Sequence, residues 1–129
     1  MPRRLALVIE DSDDTRELYA LALQLDGYVV AQARDGRDGL QQARDLVPDV
    51  IITDLAMPIM DGWEMTRRLR ADPHTRHIPI IACSGHDARH RTDTSAPDVV
   101  LTKPFAFDLL IVEARHLLQQ RAARPAQLR

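Results

Sequence analysis

The stretch Leu5-Ala6-Leu7-Val8-Ile9-Glu10-Asp11 consists of five apolar residues that run directly into two acids. A short, continuous apolar run is typical of a strand that is buried on both faces of a parallel sheet. The same pattern returns at Asp49-Val50-Ile51-Ile52-Thr53-Asp54, where a second apolar run ends on a carboxylate. These two runs predict an α/β fold in which acidic side chains follow buried strands.

Helical patterns alternate with the apolar runs along the rest of the chain. Further strands are predicted at 28–33, 78–83 and 98–101, and helices at 13–26, 35–45, 61–71 and 106–120. Strands and helices that alternate in this way form a parallel sheet through right-handed crossovers. We therefore expect a three-layer, doubly wound, flavodoxin-like domain with five parallel strands in the order 2-1-3-4-5.

The first predicted helix carries an apolar stripe of Leu18, Leu21, Ala22 and Leu25. These residues have the spacing of one helix face, and such a face normally packs on the core. Asp13 comes before this stripe and is expected to cap the helix N-terminus.

The segment from His86 to Pro97 interrupts the alternation of strands and helices. It occupies the place of a fourth helix, but its sequence offers no apolar stripe. A helix gains most of its stability by burying such a stripe. We therefore expect the fourth helix to be shortened or disordered. The domain is expected to comprise residues 1–121, followed by a tail at 122–129.

Composition excludes several functional classes. A chain of 129 residues with 45% hydrophobic residues fits one domain with a real core. A net charge of −2, with basic residues scattered, gives no sign of nucleic-acid binding. The single cysteine, Cys83, cannot form a disulfide framework. No apolar run approaches the roughly 20 residues of a membrane helix or the pattern of a signal peptide, so we expect a cytoplasmic protein without membrane contact.

Polar residues follow four of the predicted strands, at the edge of the sheet where open α/β folds bind ligands. Glu10 and Asp11 follow the first strand, Asp54 ends the third, Ser84 follows the fourth, and Lys103 follows the fifth. Lys103 is the only lysine among 17 basic residues. Three carboxylates stay ionised together only if a cation joins them, and oxygen ligands of this kind suit Mg²⁺. A carboxylate held by a divalent cation and an ammonium can attack phosphorus and form an aspartyl phosphate.

These motifs resemble those of response-regulator receiver domains, and the resemblance covers about residues 5–118. The stretch Asp54-Leu55-Ala56-Met57-Pro58-Ile59-Met60-Asp61-Gly62 looks like the family's phosphoacceptor loop. Glu10-Asp11, Ser84-Gly85 and Lys103-Pro104-Phe105 match its other landmarks.

The resemblance implies a role for each of these residues. Asp54 would be the phosphorylated residue and Asp11 a direct Mg²⁺ ligand. Glu10 and the main-chain carbonyl of Ala56 would complete the metal site together with Asp54. Ser84 would be the switch hydroxyl and Lys103 the lysine that binds the phosphoryl group.

The implied function is a phospho-acceptor switch that receives a phosphoryl group from a histidine kinase or a phosphotransfer protein. Output would then occur by contact with a downstream protein. Val100 departs from the family pattern, because receivers usually carry Tyr or Phe three residues before the lysine. That departure keeps open a phosphorylation-independent interaction module, and the chain could also be the receiver part of a longer regulator.

An enzymatic role is disfavoured by the sequence. Phosphohydrolases that work through an aspartyl phosphate usually place a general acid two residues after the nucleophile. Ala56 occupies that position here and cannot transfer a proton. We therefore expect only self-phosphorylation from small phosphodonors and slow autodephosphorylation.

Overall fold

The computed structural model describes residues 3–85 and 96–123. Strands and helices alternate along this part of the chain, with bounds close to the predicted ones. The elements are β1 (Leu5–Ile9), α1 (Asp13–Leu25), β2 (Val29–Ala33), α2 (Gly36–Leu46), β3 (Val50–Asp54), α3 (Gly62–Ala71), β4 (Ile80–Ser84), β5 (Val99–Thr102) and α4 (Phe107–Ala123).

The five strands form one parallel sheet in the order β2-β1-β3-β4-β5. This confirms the predicted doubly wound α/β fold and its strand order. The central strand β3 is buried along its whole length, as its continuous apolar sequence predicts. In the register of the sheet Ile9 lies opposite Thr53, and Asp54 lies opposite Cys83. The carboxyl ends of β1, β3 and β4 therefore meet at one edge.

Two apolar layers cover the two faces of the sheet because successive strand residues point to opposite sides. On one face Val8 and Ile52 pack with Tyr19 and Leu23 of α1 and with Leu110 of α4. On the other face the strands pack against α2 and α3, through the buried residues Leu7, Ile9, Leu40, Ala43, Ile51, Met65 and Leu69.

Helix α1 buries a different face from the one that its leucine spacing indicates. Its buried residues are Arg16, Tyr19, Ala20 and Leu23. Leu18, Leu21 and Leu25 are 50%, 51% and 81% exposed, so the expectation that this stripe packs on the core is wrong. Both sets have the spacing i, i+3, i+4, i+7, and periodicity alone does not choose between them.

Short polar side chains begin three of the helices. Ser12 caps α1 by accepting a hydrogen bond from the Thr15 N–H, so the cap is Ser12 and not the predicted Asp13. Asp35 caps α2 in the same manner. Asp61 caps α3 through the Glu64 N–H at 2.8 Å, which confirms its prediction as a helix start.

Two predictions concern residues at the limits of this description. A shortened or disordered helix was expected at 86–97, between β4 and β5, and residues 86–95 of that segment lie outside the described residues. Helix α4 extends to Ala123, past the expected domain limit at residue 121. The boundary between domain and tail stays a prediction. Within the described ranges, no helix has the length and apolar character needed to cross a membrane.

Candidate functional site

The carboxylates of Glu10, Asp11 and Asp54 form a cluster at the carboxyl edge of the sheet. One oxygen from each of the three lies within 4.8 Å of the others. Glu10 follows the last residue of β1 and Asp54 is the last residue of β3, and these strands are hydrogen-bonded neighbours. Pairing of the two central strands is therefore what brings the acids together.

Asp54 is held in a narrow, largely buried position. Its residue is 8% exposed, and its Oδ1 accepts a hydrogen bond from the Leu55 N–H at 2.8 Å. The start of α3 packs directly on its main chain at Gly62, where an added Cβ would lie 2.3 Å from the Asp54 carbonyl oxygen. Gly62 thus allows the start of α3 to approach the end of β3.

Lys103 reaches the acidic cluster from the loop after β5. Its Nζ donates a hydrogen bond to Glu10 Oε1 at 3.1 Å and lies 3.6 Å from Asp54 Oδ2. The Lys103 N–H donates to the carbonyl oxygen of Ser84 at 2.7 Å, which ties the loop to the end of β4. The sole lysine of the chain therefore bridges the two buried carboxylates.

Charge in this cluster is unevenly balanced. Among the residues that the structure describes, three carboxylates face one ammonium, so this ionised group carries two net negative charges (−3 + 1 = −2). Burial raises the pKa of Glu10, and the neighbouring Asp11 carboxyl and Asp54 charge raise it further; the Ser12 N–H and Lys103 oppose this. Burial lowers the pKa of Lys103, but the Glu10 hydrogen bond and the charges of Asp54 and Glu10 outweigh it, so that pKa is raised.

An open cleft of about 660 Å³ adjoins the cluster, and Asp11, Ala56, Trp63 and Ser84 are among the residues that line it. Oxygen donors around an excess of two negative charges fit a hard divalent cation such as Mg²⁺. Ala56 lies on this cleft, and the role of its main-chain carbonyl as a ligand remains a prediction. Ser84 is buried at the end of β4, opposite Thr102 of β5.

Two residues near the site, Arg16 and Trp63, were not predicted from the sequence. Arg16 is 7% exposed and hydrogen-bonds the carbonyl oxygen of Glu10. Arg16 shares a helix face with Tyr19 and Ala20, and the spacing of that face is the sequence signal for its burial. Trp63, the only tryptophan of the chain, follows the capping Asp61 by two residues, but no sequence pattern indicates that it lines the cleft.

Val100 lies in β5 opposite Ala82 and is partly buried. An aliphatic side chain thus occupies the strand position where the resemblance leads one to expect an aromatic ring. Three of the five aromatic side chains lie together around the loop that follows Lys103. Tyr19 stacks on Phe105 with ring centroids 5.9 Å apart and meets Phe107 edge-on at 5.8 Å.

Comparison with known proteins gives consistent matches over nearly the whole chain. The family described as response regulator receiver domain matches residues 6–115. The DNA-binding dual master transcriptional regulator RpaA of Synechocystis sp. is 36% identical over 93% of this chain and 50% of its own length. The transcriptional regulatory protein HprR of Escherichia coli is 38% identical over 91% of this chain and 52% of its own length. The chain spans about half the length of these relatives.

A solved structure agrees with the fold and topology. It is the receiver domain of the sensor histidine kinase PA1611 from Pseudomonas aeruginosa, with a magnesium ion coordinated in the active site cleft. It superposes with a TM-score of 0.83 at 26% identity, covering 92% of this chain and 99% of that domain.

Proposed function

Because the chain belongs to the family of response regulator receiver domains, we propose that it acts as a Mg²⁺-dependent phospho-acceptor switch. Receiver domains take phosphoryl groups from histidine kinases and pass signals to other proteins. They are signalling switches and not enzymes in the ordinary sense. One observation carries the proposal for this chain: Glu10, Asp11 and Asp54 cluster within 4.8 Å, and Lys103 lies 3.6 Å from Asp54.

Asp54 is the proposed phosphoacceptor. A carboxylate oxygen of Asp54 attacks the phosphorus of a phosphohistidine on a kinase or phosphotransfer protein. The phosphorus–nitrogen bond breaks as the aspartyl phosphate forms, and the electron pair remains on the departing imidazole, which takes a proton. Lys103 already lies beside Asp54 and donates hydrogen bonds to the phosphoryl oxygens, and the Ser84 hydroxyl orients the product.

The proposed metal ligands are Glu10, Asp11, Asp54 and the main-chain carbonyl of Ala56. When bound there, Mg²⁺ would neutralise charge on the transferred phosphoryl group. Glu10 holds Lys103 and the Ser12 N–H with its two oxygens at 3.1 and 2.9 Å. It therefore orients the lysine and contributes to metal binding by charge, directly or through water.

The proposed downstream partner is a protein that recognises the phosphorylated surface. We propose that the transfer takes place in the cytoplasm, where the kinase obtains its phosphoryl group from ATP.

A second candidate is that the chain is the receiver part of a longer regulator. That candidate is favoured by the relatives, whose own length is about twice that of the matched region.

Phosphorylation from a small donor tests the proposal directly. Purified protein is incubated with Mg²⁺ and acetyl phosphate, and its intact mass is measured. We expect the mass to increase by one phosphoryl group in wild type and not in Asp54→Ala. No mass gain in wild type, or a gain that persists in Asp54→Ala, would contradict the proposal and favour a phosphorylation-independent module.

Lys103→Arg tests the role of the lysine within the same assay. Arg keeps the positive charge, but its planar fork cannot replace one ammonium between two carboxylates. The variant should keep its fold by circular dichroism and be phosphorylated at least tenfold more slowly, which is about 1.4 kcal/mol of lost transition-state stabilisation. A rate equal to that of wild type would remove Lys103 from the proposed mechanism.

A further inference from the structure

Arg16 is a buried cation on the inward face of α1, next to the acidic turn. Its side chain is 8% exposed, and its guanidinium makes three hydrogen bonds. Nη1 donates to the Glu10 carbonyl oxygen at 2.9 Å, Nη2 to Asp13 Oδ1 at 2.6 Å, and Nε to Gln32 Oε1 at 3.2 Å. Each of its three nitrogens therefore has a partner.

These three bonds connect the elements on either side of the turn that carries Glu10 and Asp11. Glu10 directly follows β1, Asp13 begins α1, and Gln32 belongs to β2. The two acidic residues thus sit on a short connection whose start and finish are held by one planar group. The carboxylates of Glu10 and Asp11 belong to the cluster, whereas Arg16 hydrogen-bonds the main chain at Glu10.

Arg16 contacts this turn at its main chain and not at the carboxylates of the cluster. Its hydrogen bonds are to a main-chain carbonyl, an amide oxygen and Asp13, none of which belongs to the cluster. The ammonium that does pair with the cluster is Lys103. A planar fork with fixed donor directions suits three partners on three elements, and a lysine in its place could satisfy fewer of them.

We propose that Arg16 is a positioning residue for the divalent-cation site, which it serves by locking the main chain of the Glu10–Asp11 turn. The inference rests on the proposed function, since it assigns Arg16 a role in metal binding by the same carboxylates. Groups that orient metal ligands typically change metal affinity about 10- to 100-fold when they are removed. Arg16 therefore determines affinity for Mg²⁺ without touching the ion.

Arg70 offers a matched control within the same chain. Its side chain is 12% exposed and makes three hydrogen bonds, to the carbonyl oxygens of Arg76 and Ile78 and to Asp98. It ties α3 to the segments that lead into β4 and β5, at the amino edge of the sheet, which is opposite to the edge that carries Glu10, Asp11 and Asp54. Arg70→Lys removes the same type of fork in a place where no metal is proposed.

The experiment compares Arg16→Lys, Arg16→Met and Arg70→Lys with wild type. Mg²⁺ alone is titrated at fixed ionic strength, with Trp63 fluorescence as the signal and isothermal titration calorimetry as a second measurement. Unfolding in urea gives the stability of each variant. We expect Arg16→Lys to bind Mg²⁺ about tenfold more weakly than wild type, Arg16→Met to bind still more weakly, and Arg70→Lys to match wild type. If Arg16→Met does not fold, Arg16→Lys decides the result.

If the wild type binds Mg²⁺ and is phosphorylated, two outcomes would overturn the inference about Arg16 and leave the proposed function standing. One is wild-type Mg²⁺ affinity in Arg16→Lys, whatever its stability. The other is an equal loss of affinity in Arg16→Lys and Arg70→Lys, which would mean general loosening of the fold. A wild type with neither Mg²⁺ binding nor phosphorylation would overturn the proposed function and this inference together.

Discussion

Charge governs the properties of the site at the scale of single residues. Glu10 is buried among like charges, and its pKa is raised by that burial and by its acidic neighbours. A raised pKa in the folded state means that the folded protein binds a proton more readily than the unfolded one. The contribution of Glu10 to stability therefore falls as the pH rises from its ordinary value of 4.5 through the raised one. In the absence of metal, the ionised cluster is a local cost to folding.

Asp11→Asn tests this cost because it removes one negative charge beside Glu10 and lets an amide donate to it. Asp11 is exposed, so the gain should be small, about 0.5 kcal/mol of unfolding free energy in EDTA at pH 7. Urea denaturation measures it. Mg²⁺ at 100 times its dissociation constant should stabilise wild type by about 2.7 kcal/mol and the variant much less.

Two results for Asp11→Asn would contradict these expectations, one for stability in EDTA and one for stabilisation by Mg²⁺. Lower stability in EDTA would show that Asp11 has a structural role that outweighs repulsion. Equal stabilisation of both proteins by Mg²⁺ would place the metal elsewhere.

At the scale of single elements, close packing limits the size of the side chain at each position, and helix α2 is an example. Gly39 is the fourth residue of this helix, and a glycine inside a helix costs about 1 kcal/mol relative to alanine. It packs on Ile9 of β1: an added Cβ would lie 2.6 Å from Ile9 Cδ1 and 2.9 Å from Cγ1. Ile9 is fully buried, so it has little room to move. The glycine accommodates the isoleucine that precedes the acidic turn.

A double-mutant cycle at Gly39 and Ile9 measures this fit. Gly39→Ala should destabilise the protein by about 1–3 kcal/mol, because overpacking outweighs the better helix propensity. Ile9→Val removes the closest carbon and should cost about 1 kcal/mol on its own. The combined variant should lose about 1 kcal/mol less unfolding free energy than the sum of the two single losses, as measured by urea denaturation. Simple additivity would mean that the two residues do not constrain each other.

Helix starts show where local sequence rules succeed and where they leave a choice. Asp61 and Gly62 were predicted to begin a helix, and they do. At α1, Ser12, Asp13 and Asp14 are all suitable caps by composition. The cap is Ser12, and Asp13 instead pairs with Arg16. That choice depends on the buried guanidinium, which the sequence rule does not consider.

The position of α1 on the sheet is decided at the scale of the whole molecule. Its two faces have the same spacing, and the leucine face is the more apolar of the two. The sheet nevertheless receives Tyr19, Ala20 and Leu23, which pack with Val8 and Ile52. Arg16 on that face reaches the end of β1 with its polar tip, so its burial leaves no unpaired guanidinium nitrogen.

Leu23 and Leu25 test this orientation as a matched pair, since they share residue type and helix. Leu23 is fully buried and Leu25 is 81% exposed. Leu23→Ala should cost about 2–5 kcal/mol of unfolding free energy, and Leu25→Ala no more than about 0.5 kcal/mol. Both values are read from urea denaturation. A large loss in Leu25→Ala would mean that α1 packs through its leucine stripe after all.

The sequence predicted the α/β class and the four loops that supply polar residues to one edge, and the doubly wound class in turn implied the strand order. It could do so because continuous apolar runs, helical spacing and short capping residues are local signals with a direct physical cause. Three features depend on the folded structure: the buried face of α1, the contacts of Lys103 with Glu10 and Asp54, and the hydrogen bond of Arg16 to the main chain of the acidic turn. These features depend on distances between elements far apart in the chain, such as the 3.1 Å contact of Lys103 with Glu10. No local pattern encodes such a distance, since it exists only once the sheet has formed.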